Sequence, residues 1–518
     1  MISSDVVDTT LGACLLRAAE RADGSPALVA RGAADTALQR WSFGQLLAES
    51  ERAARALLGR FEPGEHVAIW APNVAETYLT QLACALAGIV AVPVPTGVTA
   101  SELRATLAHS GATGLVLMPE YRGVDMTSTA IEARQGLTHL REILDLTKWA
   151  DLLASAGVAS LPAVEPRHPV QVQYSSGTTG APKGIVLHHR GVANAARFLA
   201  ERACVTPEDR WLNFMSLSYV AGSAIAAPAA LQAGCLQVLC DFEPGAVVEL
   251  SAFERPTVTV CGPTMMRMLL DHPASSTGVR SLRAVWFGGA AAPLDLSRRT
   301  ESETGGRVGV IYGMTELCGG ATQTDLQDPD EIRLATAGTP LPGAEVGIFD
   351  PASGSMLPPG AQGEVRVRGY QVMTGYLNDP TATAAAIDGQ GWLHTGDLGS
   401  LGTRYELRIV GRLKDIINRG GRKLIPAEVE SVLARHAGVL QIAVAALPDE
   451  HWGEIAAAFV VPSEAARPSE QELIRWCRAS LAPYKTPERW FFVGELPFNR
   501  AGKVQKWKLV EQVRETVS

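Results

Sequence analysis

Tyr174-Ser175-Ser176-Gly177-Thr178-Thr179-Gly180-Ala181-Pro182-Lys183-Gly184 is the stretch on which the reading of this chain turns. Ser175, Ser176, Thr178 and Thr179 place four hydroxyls within five positions. They offer donors to phosphate oxygens and a hard oxygen ligand to Mg²⁺. Gly177 and Gly180 let the backbone turn tightly and come close to a ligand. Consecutive N–H groups in such a loop form an anion-binding nest, and Lys183 adds a positive point charge. The spacing is not that of the GxxxxGK[ST] phosphate loop. A flexible Ser/Gly linker is the bland alternative. It does not account for the strand-like Val170–Tyr174 before the loop or for Ile185–Leu187 after it.

Outward from the loop, apolar β-rich runs alternate with helical patterns. Val67–Trp70, Ile89–Val94, Gly114–Met118, Val258–Cys261, Ala284–Phe287 and Val308–Ile311 read as strands, and Asn73–Gly88 reads as a helix. Strands separated by helices imply βαβ units and buried, mostly parallel sheets. From about Gly338 to Val410 short strands and dense Pro/Gly turns suggest a β-rich subdomain. After Gly411 the pattern is a helix at Ala427–His436 opened by Pro426, strands at Gln441–Ala446 and Ala456–Val461, and a helix at Glu470–Ser480. This is expected to be a compact βαβ-type unit. The predicted boundary is near Arg412–Lys414, giving domains 1–412 (with 338–410 β-rich) and 413–518. The fold class is α/β.

Bulk properties narrow the function. A chain of 518 residues exceeds one ordinary core. Net charge is −8 and no basic stripe is present, which argues against nucleic acid or an anionic membrane as partner. The eight cysteines are scattered, without zinc spacing, as in a reduced, cytoplasmic protein. Met1 to Thr10 lacks the basic and apolar regions of a signal peptide. Two long uncharged stretches, Thr77–Ser101 and Trp211–Cys240, are interrupted by Pro, Gln and Asn. Each reads as a buried helix followed by a short strand (Ile225–Ala233 then Leu236–Leu239 in the second) rather than a membrane span.

Further motifs follow the loop in a fixed order: Ile311-Tyr312-Gly313-Met314-Thr315-Glu316, Gly363-Glu364-Val365 through Gly375-Tyr376, Gly391-Trp392-Leu393-His394-Thr395-Gly396-Asp397, Gly411-Arg412-Leu413-Lys414-Asp415, and Leu496-Pro497 through Gly502-Lys503. In this set and order the chain resembles the adenylate-forming superfamily, in particular its acyl-CoA synthetases and acid:CoA ligases. The resemblance runs from the Trp41-Ser42-Phe43 region to the end. It implies a large N-terminal domain of two mostly parallel sheets with helices, plus a β-rich subdomain. It also implies a small, mobile α+β C-terminal domain.

The resemblance also implies roles. Ser175, Ser176, Gly177, Thr178, Thr179, Gly180 and Lys183 would bind the phosphates of ATP. Tyr312, Gly313, Met314 and Thr315 would form the adenine motif, with Tyr312 stacked on the base. Glu316 would ligate Mg²⁺ together with Thr179. Asp397, assisted by Arg412, would accept the ribose hydroxyls. Lys503 would touch both the substrate carboxylate and the α-phosphate, stabilising charge that builds up as they join. Lys414 would be the hinge about which the C-terminal domain alternates between two half-reactions. Gly420 and Gly421 would line the tunnel for the thiol of coenzyme A, and Arg422 and Lys423 would meet its phosphates.

The acid pocket is assigned to Tyr219 and Gly222 in Ser216–Gly222, and to Gly288, Gly289 and Ala290 in the small-residue run after Phe287. Tyr219 stands where the family often carries His, which leaves the gating role of that position open. No acidic residue occurs between Trp211 and Leu231 to pair with an α-ammonium, so the predicted substrate is an apolar, non-amino acid, bulky or cyclic. Acyl-CoA formation is the leading expectation. A stand-alone enzyme loading a carrier protein, a member performing one half-reaction, luciferase-type oxidation and a non-catalytic nucleotide-binding module are the alternatives. Oligomeric state is open, a homodimer included.

Overall fold

The computed structural model describes residues 5–35, 37–175, 183–463, 466–498 and 504–517. The chain divides into two compact units. One comprises Met1–Val346 with Val367–Leu393, the other Gly347–Arg366 with His394–Ser518.

Among the described residues the first unit holds two large sheets. A nine-stranded sheet runs in the order Thr339–Pro340, Thr322–Gln323, Arg307–Tyr312, Ala284–Phe287, Val258–Cys261, Arg210–Asn213, Leu236–Leu239, Pro26–Arg31, Leu38–Ser42. Its six central strands are parallel and its margins antiparallel. A seven-stranded sheet runs Gly375–Tyr376, Lys183–His188, Pro169–Ser175, Val90–Pro93, His66–Trp70, Gly114–Leu117, Glu142–Asp145. Here the last five strands are parallel and the first two pairings antiparallel. The mostly parallel architecture follows from strands such as Val258–Cys261 and Ala284–Phe287 being buried at every position.

Both uncharged stretches resolve as helix plus strand. Ala75–Ala87 ends at Gly88 in the left-handed region (φ 67°) and is followed by Val90–Pro93. Ala227–Ala233 ends at Gly234 and is followed by Leu236–Leu239. The helix expected from Ile225 begins earlier, as a π-helix over Ala221–Ala226. Hydrophobic spacing does not register that change of hydrogen-bond step. No helix among the described residues is long and apolar enough to cross a membrane.

Among the described residues the second unit holds a five-stranded sheet, and most of a four-stranded sheet falls within it. The antiparallel pairing of Leu393–Leu401 with Leu407–Arg412 bears out the β-rich expectation for that region. A helix at Pro380–Ala386, opened by Asp379 and Pro380, interrupts the region expected to be all strand and turn. In the C-terminal sheet Val439–Asp449 and Gly453–Pro462 are antiparallel neighbours, so these two strands are not joined in βαβ fashion. The βαβ connection lies one element later, where Gly453–Pro462, helix Glu470–Ser480 and Arg489–Phe492 form a parallel crossover.

Candidate active site

Pro169–Ser175 and Lys183–His188 are antiparallel partners, with Ser175 opposite Lys183. Residues 176–182 join them and lie outside the described residues, as does the Ser175 side chain; Ser176, Gly177, Thr178, Thr179 and Gly180 therefore carry no geometry. Lys183 is described. Its ammonium lies over the Tyr376 ring, 4.8 Å from the centroid. The Tyr376 hydroxyl donates to Glu316 Oε1 at 3.1 Å. Three residues distant in sequence are thereby brought together.

Backbone hydrogen bonds fix this cluster. Met373 N–H donates to the Glu316 carbonyl at 2.8 Å, Thr374 N–H to Val186 at 2.9 Å and Leu377 N–H to Gly184 at 2.7 Å. The strand Gly375–Tyr376 pairs with Ile185 and Val186. Burial first, and the Glu316 carboxylate second, push the Tyr376 phenol well above its ordinary pKa. It therefore stays a proton donor to Glu316 at neutral pH. Tyr376 was quoted in the sequence only as part of a structural motif. No spacing rule links positions 183, 316 and 376.

The segment assigned to adenine in the sequence leaves the carboxyl end of strand Arg307–Tyr312 as a single 3-10 turn, Thr315–Leu317. Cys318 closes it in the left-handed region (φ 50°), and Gly319 N–H donates to the Met314 carbonyl at 3.1 Å. A Cβ at Gly313 would stand 2.1 Å from the Gly319 carbonyl oxygen, so the turn can pack this tightly only with glycine there. Tyr312, Gly313, Met314, Thr315 and Glu316 are all half-buried.

In the second unit Asp397 and Arg412 are cross-strand partners, and Arg412 Nε lies 2.9 Å from Asp397 Oδ1. Thr395 Oγ1 accepts the Asp397 N–H at 3.1 Å and itself donates to the Val365 carbonyl at 2.6 Å, which anchors the His-Thr-Gly-Asp turn. Lys414 sits in the 3-10 turn Leu413–Asp415 that follows. Burial, with Arg412 beside it, lowers its pKa, while Asp415 and Asp397 oppose the shift. Gly420 and Gly421 both have positive φ (53° and 80°) and form a tight hairpin turn between Ile417–Arg419 and Arg422–Leu424. A Cβ on Gly420 would meet the Trp452 ring at 2.6 Å, whereas one on Gly421 would meet nothing within 4 Å. Phe498 and Val504 form an antiparallel bridge; Lys503, within 499–503, lies outside the described residues.

The residues assigned to the acid stand at the carboxyl ends of the parallel strands of the nine-stranded sheet. Tyr219 and Gly222 follow Arg210–Asn213, and the Tyr219 carbonyl accepts N–H groups from Gly222 and Ser223. A Cβ on Gly222 would come within 2.5 Å of the Met215 and Ser216 carbonyl oxygens. Gly288, Gly289 and Ala290 follow Ala284–Phe287, with Gly289 and Ala290 exposed. Ligands of open α/β sheets bind at this end of the strands.

Residues 15–377 match the family model described as AMP-binding enzyme, and residues 428–503 match its AMP-binding enzyme C-terminal domain. The chain belongs to the AMP-binding enzyme family. Within it, this is an acyl-CoA synthetase of the adenylate-forming type. The synthetase is 37% identical over 475 residues (89% of this chain, 91% of the other) to the 3-[(3aS,4S,7aS)-7a-methyl-1,5-dioxo-octahydro-1H-inden-4-yl]propanoyl:CoA ligase of Mycobacterium tuberculosis. It is 34% identical over 453 residues (86% and 88%) to a feruloyl-CoA synthase of Amycolatopsis sp. The ATP-bound crystal structure of MatB from Rhodopseudomonas palustris superposes with a TM-score of 0.87 at 28% identity, covering 98% of the synthetase and all of that chain.

Proposed function

We propose that the synthetase activates an apolar, ring-bearing carboxylic acid without an α-amine and hands the acyl group to coenzyme A. The observation that carries this reading is the Lys183–Tyr376–Glu316 cluster, an ammonium and an oriented carboxylate held together beside the adenine turn. In the first half-reaction a carboxylate oxygen attacks the α-phosphorus of ATP. The new P–O bond forms as the bond to pyrophosphate breaks. In the second, the thiol sulfur of coenzyme A attacks the acyl carbonyl and AMP leaves with the C–O electron pair.

The chain's own groups divide the work as follows. Lys183 and the hydroxyls of residues 175–179 hold the phosphates. Tyr312 stacks on adenine, and Asp397, oriented by Arg412, accepts from the ribose hydroxyls. Lys503 bridges the two anions as they join. Glu316 fits a Mg²⁺ ligand: it is a hard carboxylate donor whose Oε1 is oriented by a neutral phenol, and Thr179 supplies a hydroxyl. Mg²⁺, when held there, offsets the charge on the leaving pyrophosphate. Lys414 is the proposed pivot at a boundary near 412–413, and Gly421 the proposed passage for the thiol arm. Localisation is proposed to be cytoplasmic.

A ring-bearing acid is supported by two observations. Trp211–Leu231 offers no carboxylate to an α-ammonium. Both curated relatives named above take cyclic acids, by their printed names. The test incubates the protein with ATP, Mg²⁺, coenzyme A and a panel of ring-bearing, aliphatic and amino acids, and follows thioester and AMP by mass spectrometry. AMP and thioester formed with ring-bearing acids support the reading. Turnover confined to amino acids refutes it. Thioester formed on a carrier protein and not on coenzyme A favours the carrier-loading alternative.

A further inference from the structure

The turn that opens the acid segment is held from outside its own sheet. Met215-Ser216-Leu217 follows strand Arg210–Asn213 of the nine-stranded sheet. Asn73 follows strand His66–Trp70 of the seven-stranded sheet and leads into helix Ala75–Ala87. Asn73 Oδ1 accepts the Leu217 N–H at 2.8 Å. Asn73 Nδ2 donates to the Met215 carbonyl at 3.0 Å and to the Cys240 carbonyl at 2.8 Å. Cys240 directly follows strand Leu236–Leu239. One amide thus ties together chain leaving the carboxyl ends of three strands in two sheets.

Asn73 is itself fixed. Its backbone N–H donates to Asp241 Oδ1 at 2.9 Å, and the Tyr121 hydroxyl donates to Asp241 Oδ2 at 2.8 Å. From the helix after Asn73, Gln81 Nε2 donates to the Leu217 carbonyl at 2.9 Å. Both peptide groups of Leu217 are therefore met by side chains. Asn73, Gln81 and Leu217 are all buried. A buried turn paired in this way is confined to one arrangement, because shifting it leaves donors and acceptors unmet away from water.

The position of the turn passes to the residues assigned to the acid. The Ser216 carbonyl accepts the Tyr219 N–H at 3.0 Å, and the Tyr219 carbonyl accepts the Gly222 N–H at 3.1 Å. A Cβ on Gly222 would stand 2.5 Å from the Met215 carbonyl oxygen, the same oxygen that Asn73 holds. A shift of Met215 or Leu217 therefore displaces Tyr219 and Gly222. Lys183, Tyr376 and Glu316 are not among these hydrogen-bond partners.

We propose that Asn73 is a positioning residue for acid recognition: by fixing the turn 215–217 it sets the places of Tyr219 and Gly222, and with them the affinity and selectivity for the acid, while leaving nucleotide binding alone. This rests on the acid-activating reading above and on its assignment of 216–222. Gln81 supports the same turn through one hydrogen bond where the Asn73 side chain makes three.

The experiment measures acid-dependent pyrophosphate–ATP exchange with ferulate, 3-cyclohexylpropanoate and octanoate, varying the acid and then ATP. It compares the unmodified protein with Asn73→Ala, Gln81→Leu and Arg283→Met. Arg283 is the control: its guanidinium pairs with Asp209 beside the amino ends of strands in the nine-stranded sheet, so its loss destabilises without touching the turn. Asn73→Ala is expected to raise KM for the best of the three acids about tenfold or more and to narrow the spread of kcat/KM among them, with KM for ATP held within about twofold. Gln81→Leu is expected to raise the acid KM about threefold. Arg283→Met is expected to lower the thermal midpoint and leave the acid KM near its starting value. Acid and ATP KM rising together in Asn73→Ala, or an acid KM raised as much by Arg283→Met, overturns the proposal and leaves acid activation standing. An unchanged acid KM in Gln81→Leu overturns it also, whether or not Asn73→Ala folds. Exchange with none of the three acids in the unmodified protein overturns this proposal and the acid-activating reading together.

Discussion

The phenol of Tyr376 donates a hydrogen bond to Glu316 at 3.1 Å while its ring receives the ammonium of Lys183 on its face. One side chain thus orients an anion with its edge and a cation with its π-surface. Both are groups to which the proposed mechanism gives a part, Glu316 toward the metal and Lys183 toward the phosphates.

Tyr376→Phe separates these two duties, since it keeps the ring and removes the hydroxyl. A hydrogen bond to a charged group contributes about 1.5–3 kcal/mol. Adenylation kcat/KM is expected to fall roughly tenfold or more, with a raised Mg²⁺ requirement, and Tyr376→Leu is expected to fall further. Steady-state pyrophosphate release across a Mg²⁺ titration reads both effects. A Phe variant with unaltered Mg²⁺ dependence would show that Glu316 does not need the phenol.

Gly313 and Gly288 make a matched pair. At Gly313 an added methyl meets backbone at 2.1 Å, whereas at Gly288 the nearest atom is the Ile311 carbonyl oxygen at 3.7 Å. Overpacking against a rigid neighbour costs roughly 1–3 kcal/mol. Gly313→Ala is expected to lower the thermal midpoint and weaken ATP binding, and Gly288→Ala to leave both near their starting values. Calorimetry with and without ATP distinguishes the two.

Gly421 takes a left-handed conformation (φ 80°) with open space where a side chain would go. Gly421→Leu is expected to cost about 1–2 kcal/mol of strain and to leave adenylation nearly intact. If the residue lines the thiol passage, thioester formation from a supplied acyl-adenylate falls at least tenfold. Equal loss of both half-reactions would place Gly421 in general stability instead.

His189 gives a pH signature. It is 1% exposed and its Nδ1 accepts the Leu11 N–H at 3.2 Å. Burial above all, with His168 and His188 nearby, lowers its pKa from 6.5 to about 3. Between those values the unfolded chain binds the proton that the folded chain refuses. The stability from neutral His189 is thus complete above pH 6.5 and is lost as pH falls toward 3, by roughly 1.4 kcal/mol per pH unit. Urea unfolding at pH 7, 6 and 5 should show this slope, reduced in His189→Gln. Parallel slopes for the two proteins would assign the acid sensitivity elsewhere.

Much of the fold was legible because local signals agreed with burial. Glu470–Ser480 is bounded as read, opened by a reciprocal capping box between Ser469 and Glu472. Ala284–Phe287 and Val258–Cys261 are buried at every position because both faces of a parallel sheet are covered. What sequence did not reveal depends on long-range pairing. The helix after Pro426 ends at Leu433, short of the expected His436, where the chain turns toward strand Val439–Asp449. The π-helix at Ala221–Ala226 accompanies a glycine pressed onto two carbonyls, a tertiary contact with no periodic trace. Likewise, the resemblance puts Asp397 and Arg412 to work together from separate motifs, but the ion pair between them follows from the antiparallel register.

Acid-dependent exchange of labelled pyrophosphate into ATP, without coenzyme A, in the unmodified protein and in Lys503→Ala, tests the central claim most directly. Reversible acyl-adenylate formation predicts exchange that requires an acid and Mg²⁺. It also predicts that Lys503→Ala loses most of this exchange while binding ATP almost as before. Release of ADP and phosphate in place of AMP and pyrophosphate, or exchange that survives Lys503→Ala undiminished, would contradict it.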